Sequence, residues 1–172
     1  MNVTYVIVSE KINDSFELKT LAIWGKGKIR DNIKYNFLNL PCGTVINEEK
    51  LCCYPQKIQE IFPDKTILQN MKAESYLGMP LLDEHHQVIG VLCVVNNKIL
   101  ANPENTIAMM KVFATRATSE LLRQRAEIAR RHTYDELESR VKEATEELRL
   151  RTAELVEANT VLEREIQEKI VA

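Results

Sequence analysis

The stretches SYLGMPLL, at residues 75–82, and VIGVLCVVN, at residues 88–96, decide the fold of this chain. Both are short, apolar and rich in β-branched or large side chains, as buried strands are. The polar run DEHHQ at residues 83–87 joins them, which predicts an antiparallel hairpin. Gly78 and Gly90, inside the two strands, indicate bulges or a close approach of neighbouring backbone.

Shorter segments precede this hairpin. Residues 3–9 and 16–24 predict a second antiparallel pair, with Asn13-Asp14-Ser15 as its turn. Residues 35–40 either extend the sheet or lie across it, and residues 51–54 form another short apolar run. Three short helical segments are predicted between the strands, at residues 41–46, 56–61 and 64–71.

The chain changes character after Pro103, its last proline or glycine. The following 69 residues contain neither and favour helix. Asn102 is a plausible N-cap before Pro103 at the first helical position. Apolar residues then recur at steps of three and four, which predicts a stripe wide enough to cover a sheet. The stripe consists of Ile107, Met110, Phe113, Ala114, Ala117, Leu121 and Leu122.

A different apolar pattern begins at Leu137. Val141, Leu148, Leu155 and Leu162 are spaced exactly one heptad apart, which is the spacing of a coiled-coil seam. Between the two patterns, Thr133 and Glu136 fit a capping box and would allow a hinge near His132. One continuous helix is the favoured alternative.

Composition excludes several classes of protein. Lys and Arg number 23 against 25 Asp and Glu, and both parts of the chain are close to neutral, so nucleic-acid binding is not expected. No apolar run approaches the length of a membrane span, and the N-terminus has no signal-peptide pattern. We therefore expect a cytoplasmic protein with reduced thiols.

Candidate chemistry is sparse. The four cysteines, Cys42, Cys52, Cys53 and Cys93, form no CxxC pair, and no metal site or catalytic residue is predicted. Cys42 precedes Gly43 at a possible helix start, where the helix dipole would favour a thiolate, although simple packing is the favoured interpretation. His85 and His86 are expected in an exposed turn. The chain is accordingly predicted not to be an enzyme.

Several motifs, in order, resemble the GAF domain family: LPCGTV at 40–45, CYP at 53–55, FPD at 62–64, SYLGMPLLD at 75–83 and IGVLCV at 89–94. The resemblance covers about residues 3–125. The segments LESRV at 137–141 and RTAEL at 151–155 look like the signalling helices that precede histidine kinase or diguanylate cyclase domains. The predicted domains are a sensory domain at 1–125, apparently without the family's first helix, and a signalling helix or coiled-coil linker at 126–172.

The resemblance implies an α+β fold: a central antiparallel sheet flanked by helices, followed by a long C-terminal helix or coiled coil. A ligand pocket on one face of the sheet would be bordered by Trp24, Cys42, Val45, Tyr54, Phe62, Tyr76, Gly78 and Cys93. A homodimer would form through Phe113, Ala117, Leu121, Val141, Leu148, Leu155 and Leu162. The Asn-Lys-Phe-Asp-Glu set of cyclic-nucleotide members and the Cys-His pair of bilin-binding members are not found, so the cofactor is unknown.

The predicted function is a sensory module of a multidomain signalling protein of the histidine kinase, response regulator or diguanylate cyclase type. Binding of a small molecule or partner would change how two protomers' helices pack, and any catalytic output domain lies outside this chain. Two alternatives remain: a cysteine-dependent reductase of free methionine sulfoxide, and a dimerisation adaptor without a ligand.

Overall fold

The computed structural model describes residues 3–12, 15–63 and 66–171, so part of the predicted turn at Asn13 and Asp14 lies outside them. Seven strands and four helices are formed by the described residues. In chain order they are β1 (Tyr5–Lys11), β2 (Glu17–Gly25), β3 (Lys28–Arg30), β4 (Lys34–Asn36), α1 (Pro41–Glu48), β5 (Cys52–Tyr54), α2 (Ile58–Ile61), α3 (Thr66–Asn70), β6 (Ser75–Leu82), β7 (Val88–Asn96) and α4 (Pro103–Val171).

The strands form one antiparallel sheet in the order β3-β2-β1-β7-β6-β5, and β4 pairs with one end of β2. The predicted hairpin of residues 75–82 and 88–96 is confirmed as β6 and β7, which pair from Ser75 opposite Asn96 to Leu82 opposite Val88. Residues 34–36 form β4 and extend the sheet. This is the first of the two alternatives given for the segment that begins at residue 35. The α+β architecture with flanking helices is therefore confirmed.

Strand β7 is buried on both faces and divides the interior into two apolar clusters. Val91, Cys93 and Val95 point to one face, where the short helices α1, α2 and α3 pack. Leu92 and Val94 point to the other face. Because side chains alternate along a strand, the two clusters are separated only by the thickness of the sheet.

The first part of α4 covers the second face of the sheet. Met110, Ala114 and Leu121 are buried there against alternate residues of β6 and β7. Burying one large apolar side chain contributes about 1.5–3 kcal/mol, so these contacts hold this part of the helix firmly on the sheet. Part of the predicted apolar stripe is thus buried within the chain itself, whereas Phe113 stays exposed.

Contacts divide the chain into two compact units, Met1–Gln124 and Arg125–Ala172. The long predicted helix is confirmed, and its helical residues include the segment around His132. The Thr133 hydroxyl donates to the Ala129 carbonyl oxygen at 3.1 Å, as threonines inside helices do. Thr133 therefore does not cap a new helix.

The second unit, as far as the structure describes it, is a helix with exposed side chains. Val141 and Leu148 are among its exposed large apolar residues. Glu127 accepts from the Arg130 guanidinium at 2.8 Å, a solvent-exposed pair that contributes little to stability. No helix within the described residues is long and apolar enough to cross a bilayer.

Candidate functional site

A cavity of about 40 Å³ lies between the sheet and the helices α1 and α3. One water molecule needs roughly 10–15 Å³ of such space, so the cavity has room for a molecule of a few heavy atoms. Its walls are mostly apolar, and the residues that line it include no charged side chain. Among the lining residues are Ile7, Ile23, Leu40, Leu68, Met71 and Val95, together with the polar Thr20, Tyr35, Cys42, Tyr76 and Cys93.

Helix α1 brings Cys42 to the cavity. Pro41 occupies the first turn, where its missing N–H costs nothing, and the Gly43 N–H donates to the Leu40 carbonyl oxygen at 2.9 Å. A Cβ atom on Gly43 would lie only 2.6 Å from the Phe37 carbonyl oxygen. Residue 43 must therefore be glycine for α1 to pack this close, and this packing places the neighbouring thiol.

Strand β6 supplies the second polar group. Tyr76 is buried, and its hydroxyl donates to Cys42 Sγ at 3.3 Å. The Tyr76 ring lies over Gly78, two residues along the same face of the strand, where an added Cβ would come within 2.7 Å of the ring atoms Cε1 and Cζ. Gly78 thus makes room for the tyrosine to reach the thiol.

Tyr35 and Ser9 complete the hydrogen-bonded network. The Tyr35 hydroxyl lies 3.6 Å from Cys42 Sγ and 3.3 Å from Ser9 Oγ. Three strands and a helix therefore meet at Cys42: β1 through Ser9, β4 through Tyr35, β6 through Tyr76 and α1 through Cys42 itself. Every buried polar side-chain atom in the described residues has a hydrogen-bond partner.

The network separates the pKa values of the two buried thiols. A hydrogen bond from Cys93 lowers the pKa of Cys42, burial opposes it, and the Tyr76 and Tyr35 hydroxyls lower it further. The same thiol–thiol hydrogen bond raises the pKa of Cys93, as does burial. Burial and the nearby Cys42 raise the pKa of both tyrosines. Of the two thiols, Cys42 therefore ionises more readily than Cys93.

The predicted pocket residues fall into two groups. Cys42, Tyr76 and Cys93 line the cavity together. Trp24 does not, because the alternation of β2 points Ile23 to the cavity and leaves Trp24 partly exposed on the opposite face. The other predicted residues lie near these groups without lining the cavity: Val45 in the core, Gly78 beneath Tyr76, and Tyr54 and Phe62 in an edge-to-face ring pair.

The predicted set of pocket residues omits Tyr35, Thr20 and Ile7, which line the cavity from β4, β2 and β1. Ile7 pairs directly with Cys93, and paired residues on neighbouring strands share a face of the sheet. Side-chain alternation along β1 and β7 could therefore have placed Ile7 beside Cys93. Tyr35 had no such pattern, because β4 has only three residues.

The remaining candidate groups are not at the cavity. Burial raises the pKa of Cys52 and Cys53. Asp83 Oδ1 accepts from the backbone N–H groups of His85 and Gln87, which closes the β6–β7 turn. Across residues 3–12, 15–63 and 66–171, no group of three or more His, Cys, Asp or Glu is arranged to hold a metal ion.

Removing the Tyr76 hydroxyl tests the network. Tyr76→Phe deletes one hydrogen bond to the thiolate, so we expect the pKa of Cys42 to rise by about one pH unit. Gly78→Ala should also raise the pKa of Cys42, because the added Cβ would displace the Tyr76 ring. The rate of iodoacetamide alkylation against pH, mapped by peptide mass spectrometry in a Cys52→Ser, Cys53→Ser background, measures the pKa.

Tyr54→Phe is the matched control, because its ring lies 6.2 Å from that of Tyr76 and lines no part of the cavity. An unchanged alkylation profile in Tyr76→Phe would show that the hydroxyl does not stabilise the thiolate.

The family model described as GAF domain matches residues 22–121. The GAF domain of an Acinetobacter phosphoenolpyruvate-protein phosphotransferase superposes with a TM-score of 0.52 at 15% identity, over 68% of this chain and 69% of that one. A Burkholderia vietnamiensis protein described as a GAF sensor gives 0.52 at 17%, over 67% and 68%.

A type II free methionine-R-sulfoxide reductase from Thermoplasma acidophilum superposes with a TM-score of 0.53 at 15% identity, over 69% of this chain and 80% of that one. At such identities the superpositions show a shared fold. No curated protein matches the sequence. The match to the family model covers more than half of the 172 residues. The chain therefore belongs to the GAF domain family.

Proposed function

We propose that this chain is a sensory GAF module in which the state of the cavity is the input and helix α4 is the output. One observation supports this most strongly: alternate residues of β7 contact the two sites. Cys93 and Val95 line the cavity, whereas Leu92 and Val94 pack beneath Met110, Ala114 and Leu121 of α4. A displacement of β7 by a bound molecule would therefore reach the helix directly, because close-packed interiors transmit strain.

The cavity favours a small input molecule. Its volume of about 40 Å³ and uncharged walls suit a ligand of a few heavy atoms rather than a nucleotide or a bilin. The hydroxyls of Tyr35 and Tyr76 and the Cys42 thiol are the groups that would orient it.

The output is proposed to be a change in helix pairing within a homodimer. Val141, Leu148, Leu155 and Leu162 form what we call the seam, and each is more than half exposed in the single chain. Such a stripe at heptad spacing is buried when two helices pair. Phe113 is also exposed and Ala117 partly so, whereas Leu121 is already covered by the sheet. An output domain of the histidine kinase or diguanylate cyclase type would respond to the change.

Xenon provides a test that requires no knowledge of the natural ligand, since apolar cavities bind it. With ¹³C-methyl methionine, Met71 reports on the cavity wall and Met110 on the opposite face of the sheet. We expect xenon to shift both methyl signals with one dissociation constant. Met109, adjacent to Met110 but exposed, is the matched control and should not shift.

Two other outcomes would contradict the proposal. A shift of Met71 alone would mean that the cavity binds but is not coupled to α4. No shift at either position would favour an adaptor whose interior is filled by its own side chains.

A reductase of free methionine sulfoxide is the second candidate, because the Cys42 thiol faces a cavity. The absence of charged groups from the cavity wall weighs against an amino-acid substrate, whose ammonium and carboxylate would need partners. A thiol-dependent turnover assay with Cys42→Ser and Cys93→Ser variants separates the candidates. Turnover that is lost in these variants would replace the sensory proposal.

A further inference from the structure

We infer that Cys42 and Cys93 form a peroxide-reactive redox pair in which Cys42 is oxidised first and Cys93 then closes a disulfide. Both thiols are free, buried and part of the wall of one cavity. The Tyr76 hydroxyl donates to Cys42 Sγ at 3.3 Å, and Gly78, which lies beneath the Tyr76 ring, pairs directly with Cys93, so both thiols flank the same hydroxyl. They lie on different elements, α1 and β7, so a bond between them would tie a helix to the sheet.

The surroundings of Cys42 favour reaction with a peroxide. The thiolate is the reactive form of cysteine, and a proton donor beside it assists the leaving oxygen. The Tyr76 hydroxyl, at 3.3 Å from Cys42 Sγ, occupies that position. The Tyr35 hydroxyl lies 3.6 Å from the same sulfur.

The reaction balances in two steps. Cys42 Sγ attacks one oxygen of a hydroperoxide, an S–O bond forms and the O–O bond breaks. The leaving oxygen takes the proton that the Cys42 thiol gave up, relayed through the Tyr76 hydroxyl, to give water or an alcohol, and the tyrosine ends the step protonated. Cys93 Sγ then attacks the sulfenic sulfur, an S–S bond forms, and the S–O oxygen leaves as water with the Cys93 proton. Two thiols are oxidised and one hydroperoxide is reduced.

The cavity also selects the oxidant. Its size of about 40 Å³ admits hydrogen peroxide or a short alkyl hydroperoxide and excludes a peptide disulfide. Cys52 and Cys53 serve as an internal comparison, because they do not line the cavity and burial raises the pKa of both.

The consequence of the disulfide for α4 rests on the proposed sensory function, whereas its formation does not. Cys93 pairs with Ile7 of β1 and Gly78 of β6 at the centre of the sheet. A bond that draws β7 towards α1 would shift Leu92 and Val94, the residues that pack beneath α4.

The experiment treats the full chain with equimolar hydrogen peroxide, followed by alkylation and peptide mass spectrometry. We expect a species two hydrogens lighter that links the Cys42 and Cys93 peptides. Cys93→Ser should instead accumulate a dimedone adduct at Cys42, and Cys42→Ser should slow oxidation at least about 100-fold. The Cys52→Ser, Cys53→Ser double variant is the control and should react like the parent chain.

Oxidation that falls first on Cys52 or Cys53, or equal rates in Cys42→Ser and the parent chain, would overturn the inference. Cys42→Ala and Cys93→Ala replace the serine variants where a buried hydroxyl prevents folding. The methyl signal of Met110 in the oxidised protein separates the two claims. A disulfide without a Met110 shift would contradict the sensory function and leave the redox pair established.

Discussion

Replacing Val141 and Leu148 with aspartate should convert the proposed dimer into a monomer. Each seam side chain that is removed forfeits about 1.5–3 kcal/mol of burial, and the loss occurs on both helices. The added carboxylates also face each other across the seam and repel. We therefore expect the dissociation constant to rise at least about 100-fold, measured by sedimentation equilibrium.

Leu150→Asp with Val156→Asp is the matched control. Both residues are large, apolar and exposed on the same helix, and neither lies at a seam position. This double variant introduces the same charge as the seam variant and a similar loss of helix propensity. If the two double variants weakened association equally, charge alone would explain the effect and the seam would be wrong.

The second large effect is expected at the sheet face of α4. Met110 is almost fully buried beneath the sheet, so Met110→Asp would place an unpaired carboxylate in an apolar layer. We expect a loss of about 3 kcal/mol or more in the free energy of unfolding. Urea denaturation followed by circular dichroism measures it.

Met109→Asp gives the comparison at the adjacent position. Met109 is 45% exposed, so the same substitution should change the free energy of unfolding by less than about 0.5 kcal/mol. Equal destabilisation by the two variants would mean that α4 does not depend on this face for its attachment to the sheet.

The strands could be predicted well because they are short apolar runs bounded by polar turn residues. The hairpin of β6 and β7 was predicted to the residue, since Gly78 and Gly90 interrupt neither apolar run and the turn is strongly polar. Helix α4 was equally clear, because no glycine or proline interrupts it after Pro103. These are local properties, and local properties are visible in a sequence.

The cavity was harder to predict from the sequence, because it is formed by contacts between segments that are distant along the chain. Cys42 and Tyr76 are 34 residues apart and meet only after α1 packs against the sheet. Trp24 was predicted to border the pocket. Side chains alternate along β2, however, so Ile23 lines the cavity and the adjacent Trp24 lies on the opposite face of the sheet. Tyr35 lies on a three-residue strand too short to show a period.

The apolar stripe of α4 presented a different difficulty. Phe113 and Leu121 belong to one helical pattern, yet Phe113 is exposed and Leu121 is buried against the sheet. The stripe is wide enough to face two surfaces, and helical spacing alone does not say which residues meet the sheet.

The most direct test of the account follows a change from the cavity to the seam. With ¹³C-methyl leucine in the full chain, Leu148 reports on the seam, and the exposed, off-seam Leu150 is its control on the same helix. The account predicts that xenon shifts the Leu148 methyl signals with the dissociation constant measured at Met71 and leaves those of Leu150 unchanged. Saturation of Met71 with no change at Leu148 would contradict it.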